Sequence, residues 1–196
     1  MKITPESFAK TLFSLINKNK KLLIGLSGGM DSVVLLDLCE KIIPPGKLFA
    51  IHINHGLTKE SYNHEKFVHK ICINKNIPLI LKSEKRTNKR NESDEMWARR
   101  IRYNHYFQTL IKKNYDYVLT AHHANDNCET IIMNLDNGCS INGLKGIPSI
   151  NGKVVRPLIG YKKIDIINYA QSNKINYVDD VSNNDLSIKR NYVRKK

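Results

Sequence analysis

Within six residues, Ser27-Gly28-Gly29-Met30-Asp31-Ser32 brings together two adjacent glycines, two hydroxyls and a carboxylate. Adjacent glycines let the backbone take dihedrals closed to other residues and let a ligand approach the main chain. Where such a turn opens into a helix, the free N–H groups of the first helical turn point into it, and the macrodipole favours an anion there. Ser27 and Ser32 can donate to phosphate oxygens. A carboxylate beside phosphates repels them unless a divalent cation lies between, so Asp31 implies a metal such as Mg²⁺. The turn lacks the Gly-Lys-Ser/Thr ending of the Walker loop and the third glycine of the dinucleotide fingerprint.

A second group is Ala121-His122-His123-Ala124-Asn125-Asp126-Asn127-Cys128-Glu129-Thr130. His122 and Asp126 are four apart and Asp126 and Glu129 three, so on a helix all three share one face. Such a cluster can ligate a metal. It can equally hold an ammonium group between Asp126 and Glu129, with His122 handling its proton. Helix capping by Asn125 or Asp126 is the plainer use, and it leaves both histidines unexplained. Asn54-His55-Gly56-Leu57 is a plausible nucleotide or substrate contact, although a simple turn explains it as well. Arg99 and Arg102, beside Tyr103 and Tyr106 at helical spacing, suit phosphate gripping and base stacking, or merely a solvated face. Arg190, Asn191 and Arg194 repeat that spacing and also suit phosphates.

The elements that must position these groups alternate. Thr4-Pro5-Glu6 opens a helix whose apolar face is Phe8, Leu12, Leu15 and Ile16. Strands are expected over 22–26, 48–53, 77–81, 115–121 and 156–159, with helices over 33–38, 60–76, 93–113, 126–135 and 161–172. Residues 83–93, with Lys85, Arg86, Lys89 and Arg90, read as a basic loop, either solvated or RNA-contacting. This order predicts an α/β fold, a parallel sheet of about five strands with helices on both faces, in a single domain over 1–196. In such sheets ligands bind outside the carboxyl ends of the strands, and the polar groups above all follow predicted strands.

Composition narrows the partners. Lys and Arg number 32 against 18 acidic residues, a formal charge of +14 on 196 residues, which fits a polyanion such as RNA. Cys39, Cys72, Cys128 and Cys139 show no Cys-x-x-Cys and no paired spacing with His, which argues against a zinc ribbon, a cluster or a disulfide framework. Unpaired cysteines, the absence of any apolar run near the ~20 residues that cross a bilayer, and a polar amino terminus predict a soluble, cytoplasmic protein with no membrane partner. Nothing in the sequence speaks to oligomeric state.

The run Ser-Gly-Gly-Met-Asp-Ser resembles the signature of the PP-loop (N-type) ATP pyrophosphatases, whose fold is like that of adenine-nucleotide α-hydrolases. Asn54-His55-Gly56-Leu57, Glu95-x-x-Ala98-Arg99-x-x-Arg102-Tyr103 and Ala121-His122-His123-x-x-Asp126-x-x-Glu129-Thr130 are similar to motifs of the tRNA(Ile)-lysidine synthetase family. Gly143-Leu144-x-Gly146-Ile147, Arg156-Pro157-Leu158, Asp180-x-Ser182-Asn183 and Arg190-Asn191-x-x-Arg194 continue the likeness in that family's order. The resemblance implies ATP and Mg²⁺ as cofactors, and as partners free L-lysine and tRNA(Ile) with a CAU anticodon. ATP would adenylate the 2-carbonyl oxygen of the wobble cytidine, and the lysine ε-amine would then displace AMP to give lysidine. On that likeness Ser27, Gly28, Gly29, Met30, Asp31, Ser32, Asn54 and His55 bind the nucleotide, with Asp31 also the metal ligand. Asp31, His122, Asp126, Glu129 and Arg190 serve catalysis, and Arg99, Arg102 and Arg194 hold tRNA phosphates.

Asn125, Thr58, Ser140 and Tyr177 stand where that family usually has Asp, Arg, Gly and Trp. Members commonly continue past the Arg-Asn motif into carboxyl-terminal domains that grip tRNA, whereas this sequence ends at Lys196. Two rival expectations follow. One is a catalytically weak tRNA- or nucleotide-binding remnant; the other is a tRNA-thiolating relative, which the missing Cys-x-x-Cys disfavours.

Overall fold

The computed structural model describes residues 2–56, 61–86, 92–138 and 144–178. Helix α1 (Pro5–Leu15) starts where predicted: Thr4 accepts from the Ser7 amide, and Pro5 fills the first helical position, where no N–H is needed. Strand β1 (Leu22–Gly25) leads through the glycine turn into α2 (Met30–Ile42), in which every residue from Ser32 to Cys39 is buried. Strand β2 (Leu48–Asn54), α3 (Ser61–Asn74) and β3 (Leu79–Ser83) follow. Helix α4 (Asp94–Lys113) is capped by the Ser93 hydroxyl and stopped by Asn114 in the left-handed region, φ 52°. Then come β4 (Tyr117–Leu119), α5 (Ala124–Asp136), β5 (Ile150–Asn151), β6 (Val154–Val155) and α6 (Lys163–Ser172).

The sheet runs β3-β2-β1-β4-β6-β5, parallel throughout except for β5 against β6. Side chains alternate between its faces as the pleat requires. Leu22, Ile24, Leu48, Ala50, Leu119 and Val155 join one core cluster with α1, α2, α3 and α6. Leu23, Ile51, Ile53, Val118 and Val154 join another with Tyr106 and Leu110 of α4. Helices therefore cover both faces.

The expected parallel sheet of about five strands is present with six, and one expectation is corrected: residues 156–159 are not one of them. Pro157 has no N–H for a ladder, and the chain turns there, with Ile159 N–H donating to Arg156 O (3.2 Å) and Tyr161 N–H to Leu158 O (2.9 Å). Leu158 still reaches the core, fully buried, but from a turn. The sheet is completed on that side by the short hairpin β5–β6, with β5 at the edge.

Crossovers leave β1 toward β2 on one side, while β4 leads toward β6 on the other. The strand order thus reverses between β1 and β4, and a crevice opens outside their carboxyl ends. No described helix is long and apolar enough to cross a membrane.

Candidate active site

The glycine turn leaves β1 at this crevice. Gly28 has φ +95°, a conformation L side chains rarely adopt, and a Cβ there would press on Val68 of α3 at 3.3 Å. The buried Ser32 hydroxyl organises the turn: it accepts from the Ser27 and Gly28 amides (both 3.2 Å) and donates to Gly29 O (2.8 Å). Ser27 Oγ lies 3.0 Å from it and accepts from the Gly29 amide. Met30 turns its side chain onto the core. Asp31, in the first turn of α2, keeps a partly exposed carboxylate at the mouth.

Two more helices begin beside it. His123 caps α5, accepting from the Asp126 amide (3.4 Å), while Asp126 Oδ2 accepts from the His123 amide (3.0 Å). His123 Nε2 lies 3.7 Å from Asp31 Oδ2 and 3.6 Å from Asp126 Oδ2. Asp126 and Glu129 are the buried residues of α5, 8% and 5% exposed, so this helix turns carboxylates rather than hydrocarbon inward. Asp126 is held there by the His123 amide and lies beside the His123 ring. Burial holds the His123 imidazole below the usual histidine range; Asp126, Asp31 and Glu129 oppose that shift and Lys163 adds to it.

Lys163, the first residue of α6, places Nζ 2.5 Å from Asp31 Oδ1. Its backbone amide donates to Asn125 Oδ1 at 2.9 Å, and the Ala124 amide donates to Tyr161 O at 2.9 Å, tying α6 to α5. The amino ends of α2, α5 and α6 thus converge on the turn.

Asp31, His123, Asp126 and Lys163 are brought together, with Glu129 on the same buried face of α5. The expected three-residue helical face holds for Asp126 and Glu129 but not for His122. Helix α5 starts at Ala124, so His122 precedes it, and its Nδ1 lies 3.0 Å from Thr120 Oγ1. Asn54 bonds to Glu65 Oε2 (2.8 Å) and to the Gly56 amide (2.9 Å). His55 meets Trp97 edge-on at 5.6 Å, and burial, with the Arg102 cation beside it, pushes its pKa down to about 4. Arg99 lies over the Tyr103 ring at 5.2 Å. In the basic loop, Arg86 is held by Asp94 and by Glu92 O. Arg190, Arg194, Thr58, Ser140, Lys89 and Arg90 lie outside the described residues.

Lys163 is absent from every sequence expectation. Its signal was the pair Lys162-Lys163 at a helix amino end, where the macrodipole disfavours cations and a lysine needs an anion in reach.

Residues 3–196 match the PP-loop domain. The chain belongs to the PP-loop family. Within it, the chain is 38% identical over 184 residues to the tRNA(Ile)-lysidine synthase of Mycoplasma mycoides subsp. mycoides, covering 91% of this chain and 46% of that protein. It is 31% identical over 197 residues to that of Legionella pneumophila (strain Paris), covering 98% and 44%. The enzyme of the same name from Petrotoga mobilis is 32% identical over 200 residues, covering 96% and 64%. The chain therefore spans between about two fifths and two thirds of the length of these relatives. Among solved PP-loop structures, the U34-tRNA thiolase NcsA of Methanococcus maripaludis superposes with a TM-score of 0.76 at 20% identity, over 97% of this chain and 71% of that one. The NH3-dependent NAD synthetase of Campylobacter jejuni gives 0.59 at 17%, over 88% and 75%. At those identities the likeness is one of fold.

Proposed function

We propose that this PP-loop domain is the catalytic unit of a tRNA(Ile)-lysidine-forming ligase. It would spend ATP to adenylate the 2-carbonyl oxygen of the wobble cytidine in a CAU anticodon, releasing pyrophosphate. The ε-amine of free lysine then attacks that carbon, and AMP leaves with the oxygen. The observation that carries this reading is the pair of buried carboxylates, Asp126 and Glu129, facing inward beside a phosphate-type turn. Beside a phosphate-type turn, an inward acidic face of this kind suits a second substrate that carries an ammonium group.

In this reading the Ser27–Ser32 turn and the amino end of α2 hold the phosphates. Lys163 neutralises charge that develops on them, and Arg190 and Arg194 keep that role from their sequence motif. Asp126 and Glu129 seat the lysine ammonium. His123, with Nδ1 accepting from the Asp126 amide, turns Nε2 toward Asp31 and Asp126 and orients both carboxylates. The amine must lose a proton before attack, and His122, at the carboxyl end of β4 beside Thr120, keeps the role its spacing suggested.

Asp31 is partly exposed, which suits Mg²⁺, an ion that binds through one or two carboxylates and otherwise through phosphates and water, once Lys163 has turned from Asp31 to the phosphates. Asp31 would hold it, and the ion would screen the triphosphate. Among the described residues no cluster of three acidic, His or Cys side chains forms a cage for a metal on its own.

For the thiolating alternative, Cys39 and Cys72 are buried, and burial pushes Cys72 up to about 11 and Cys39 higher still; Cys128 is exposed on α5, and Cys139 lies outside the described residues. The deciding experiment incubates the chain with CAU-anticodon tRNA(Ile), ATP, Mg²⁺ and isotopically labelled lysine, then digests the RNA for nucleoside mass spectrometry. Labelled lysidine at the wobble position is the expected product. ATP binding with no modified nucleoside and no tRNA-dependent exchange of pyrophosphate would instead make the chain a binding remnant.

A further inference from the structure

A second cavity, of about 400 Å³, opens between α4 and the β5–β6 hairpin. Arg99, Tyr103 and Phe107 line it from the helix, and Lys153 and Arg156 from the hairpin and the residue just beyond it. None of these except Arg99 has a part in the reading above.

The cavity is cationic and aromatic at once. Arg156 is only 4% exposed; its Nη1 donates to Pro148 O at 2.9 Å, while its Nε has no hydrogen-bond partner among the described residues. Among those residues no carboxylate forms an ion pair with it. A buried guanidinium of this kind calls for an anion. Tyr103 likewise has a buried hydroxyl without a partner among the described residues. Its ring carries the Arg99 guanidinium and leans on Phe107, 6.2 Å away and 41% exposed. Lys153 is exposed at the tip of the hairpin.

The cavity also leads somewhere. Arg156 directly follows β6, and the Thr120 amide donates to Val155 O at 3.0 Å; Thr120 in turn contacts His122 at the crevice. The upper end of the cavity therefore adjoins the rim of the candidate active site.

Aromatic faces flanked by cations bind single-stranded nucleic acid through stacked bases and backbone phosphates. We propose that this groove seats the RNA flanking the nucleotide to be modified. One base stacks at Tyr103 and Phe107, and phosphates rest on Arg99, Lys153 and Arg156. The proposal rests on the tRNA reading above and adds to it the place where the anticodon strand enters.

The test uses the full chain and a CAU anticodon stem-loop whose triplet uridine is 5-iodouridine. Irradiation is expected to crosslink that base to the peptide carrying Tyr103 and Phe107. In fluorescence anisotropy, Tyr103→Ala and Lys153→Glu should each weaken RNA binding about tenfold or more. Tyr103→Phe, which keeps the stacking ring and loses only the hydroxyl, should weaken binding less than Tyr103→Ala does, and a fluorescent ATP analogue should bind all variants equally. Lys153→Glu should also lower the slope of log affinity against log salt by about one. Lys153 is exposed, so its variant decides the matter should Tyr103→Ala fail to fold. If the parent binds the stem-loop while Lys153→Glu and Tyr103→Ala bind it just as well, or the crosslink maps elsewhere, the groove is not the RNA site and the tRNA reading survives. If the parent binds no stem-loop, the tRNA reading falls and the groove proposal falls with it.

Discussion

Lys163 Nζ lies 2.5 Å from Asp31 Oδ1, an ion pair that joins the first turns of α6 and α2 across 132 positions of sequence. Each side chain is about one third exposed, so the pair contributes little to stability, about 0–1 kcal/mol. In the proposed reaction, its place beside the phosphate turn lets Lys163 neutralise charge on the phosphates. Lys163→Ala should cut tRNA-dependent pyrophosphate release by about a hundredfold, the range typical of losing one preorganised charge at a developing anion. Thermal melting should barely move. A large fall in melting temperature with normal turnover of the folded fraction would make the lysine structural.

Asp37 ties α2 to two neighbours. It accepts from Tyr169 of α6 at 2.8 Å and pairs with Lys41 (2.8 Å) and Lys75 (3.2 Å). Burial alone would raise its pKa; the hydrogen bonds from Lys41 and Tyr169 and the charges of Lys41 and Lys75 outweigh burial and hold it below the usual carboxylate range. The folded state therefore binds the proton less readily than the unfolded chain. This stabilisation is complete above the ordinary Asp value and is lost as pH falls through the lower folded value. Asp37→Asn should cost about 2 kcal/mol near neutrality and flatten the acid limb of urea midpoints measured against pH.

His55 behaves in the opposite sense. Burial, then Arg102, His52 and His105, push its pKa down to about 4, so the folded chain keeps it neutral where the unfolded chain is already protonated. Stability should accordingly decline as pH drops from about 6.5 toward about 4, with no further contribution from His55 below that. NMR titration of the His55 ring should find its midpoint near 4, and Arg102→Ala should move it upward. An unshifted midpoint in that variant would remove Arg102 as a cause.

Gly25 closes β1 where α4 crosses it. A Cβ on Gly25 would lie 2.1 Å from the Tyr106 hydroxyl and 2.7 Å from its ring carbon. Gly25→Ala should destabilise by about 1–3 kcal/mol, lowering the melting temperature by several degrees. Adding Tyr106→Phe should restore part of the loss, because the oxygen goes but the ring carbon stays.

The order of strands and helices was legible because each boundary has local chemistry: Thr4-Pro5, Ser93 and the glycine turn all act within a few residues. The strand expected at 156–159 failed for a local reason too, since Leu158 and Ile159 carry strand-like hydrophobicity through a turn that Pro157 imposes. Asp126 and Glu129 could be placed together by helical spacing alone. That His123 caps α5 while His122 precedes it could not be read without knowing that the helix begins at Ala124. Lys163 was hidden because its partner is remote in sequence and lysines are common in this chain. Asn125 looked like a departure from its family, yet its job here is to accept from the Lys163 amide, which an amide oxygen does as well as a carboxylate.

Synthesis runs from the amino end, so Asp31 leaves the ribosome well before Lys163 exists. A nascent chain carries the glycine turn with an unbalanced negative charge at its entrance, and it gains the balancing ammonium only when the last described helix docks. The Asp31–Lys163 pair is in this sense completed only when the amino ends of α2 and α6 come together.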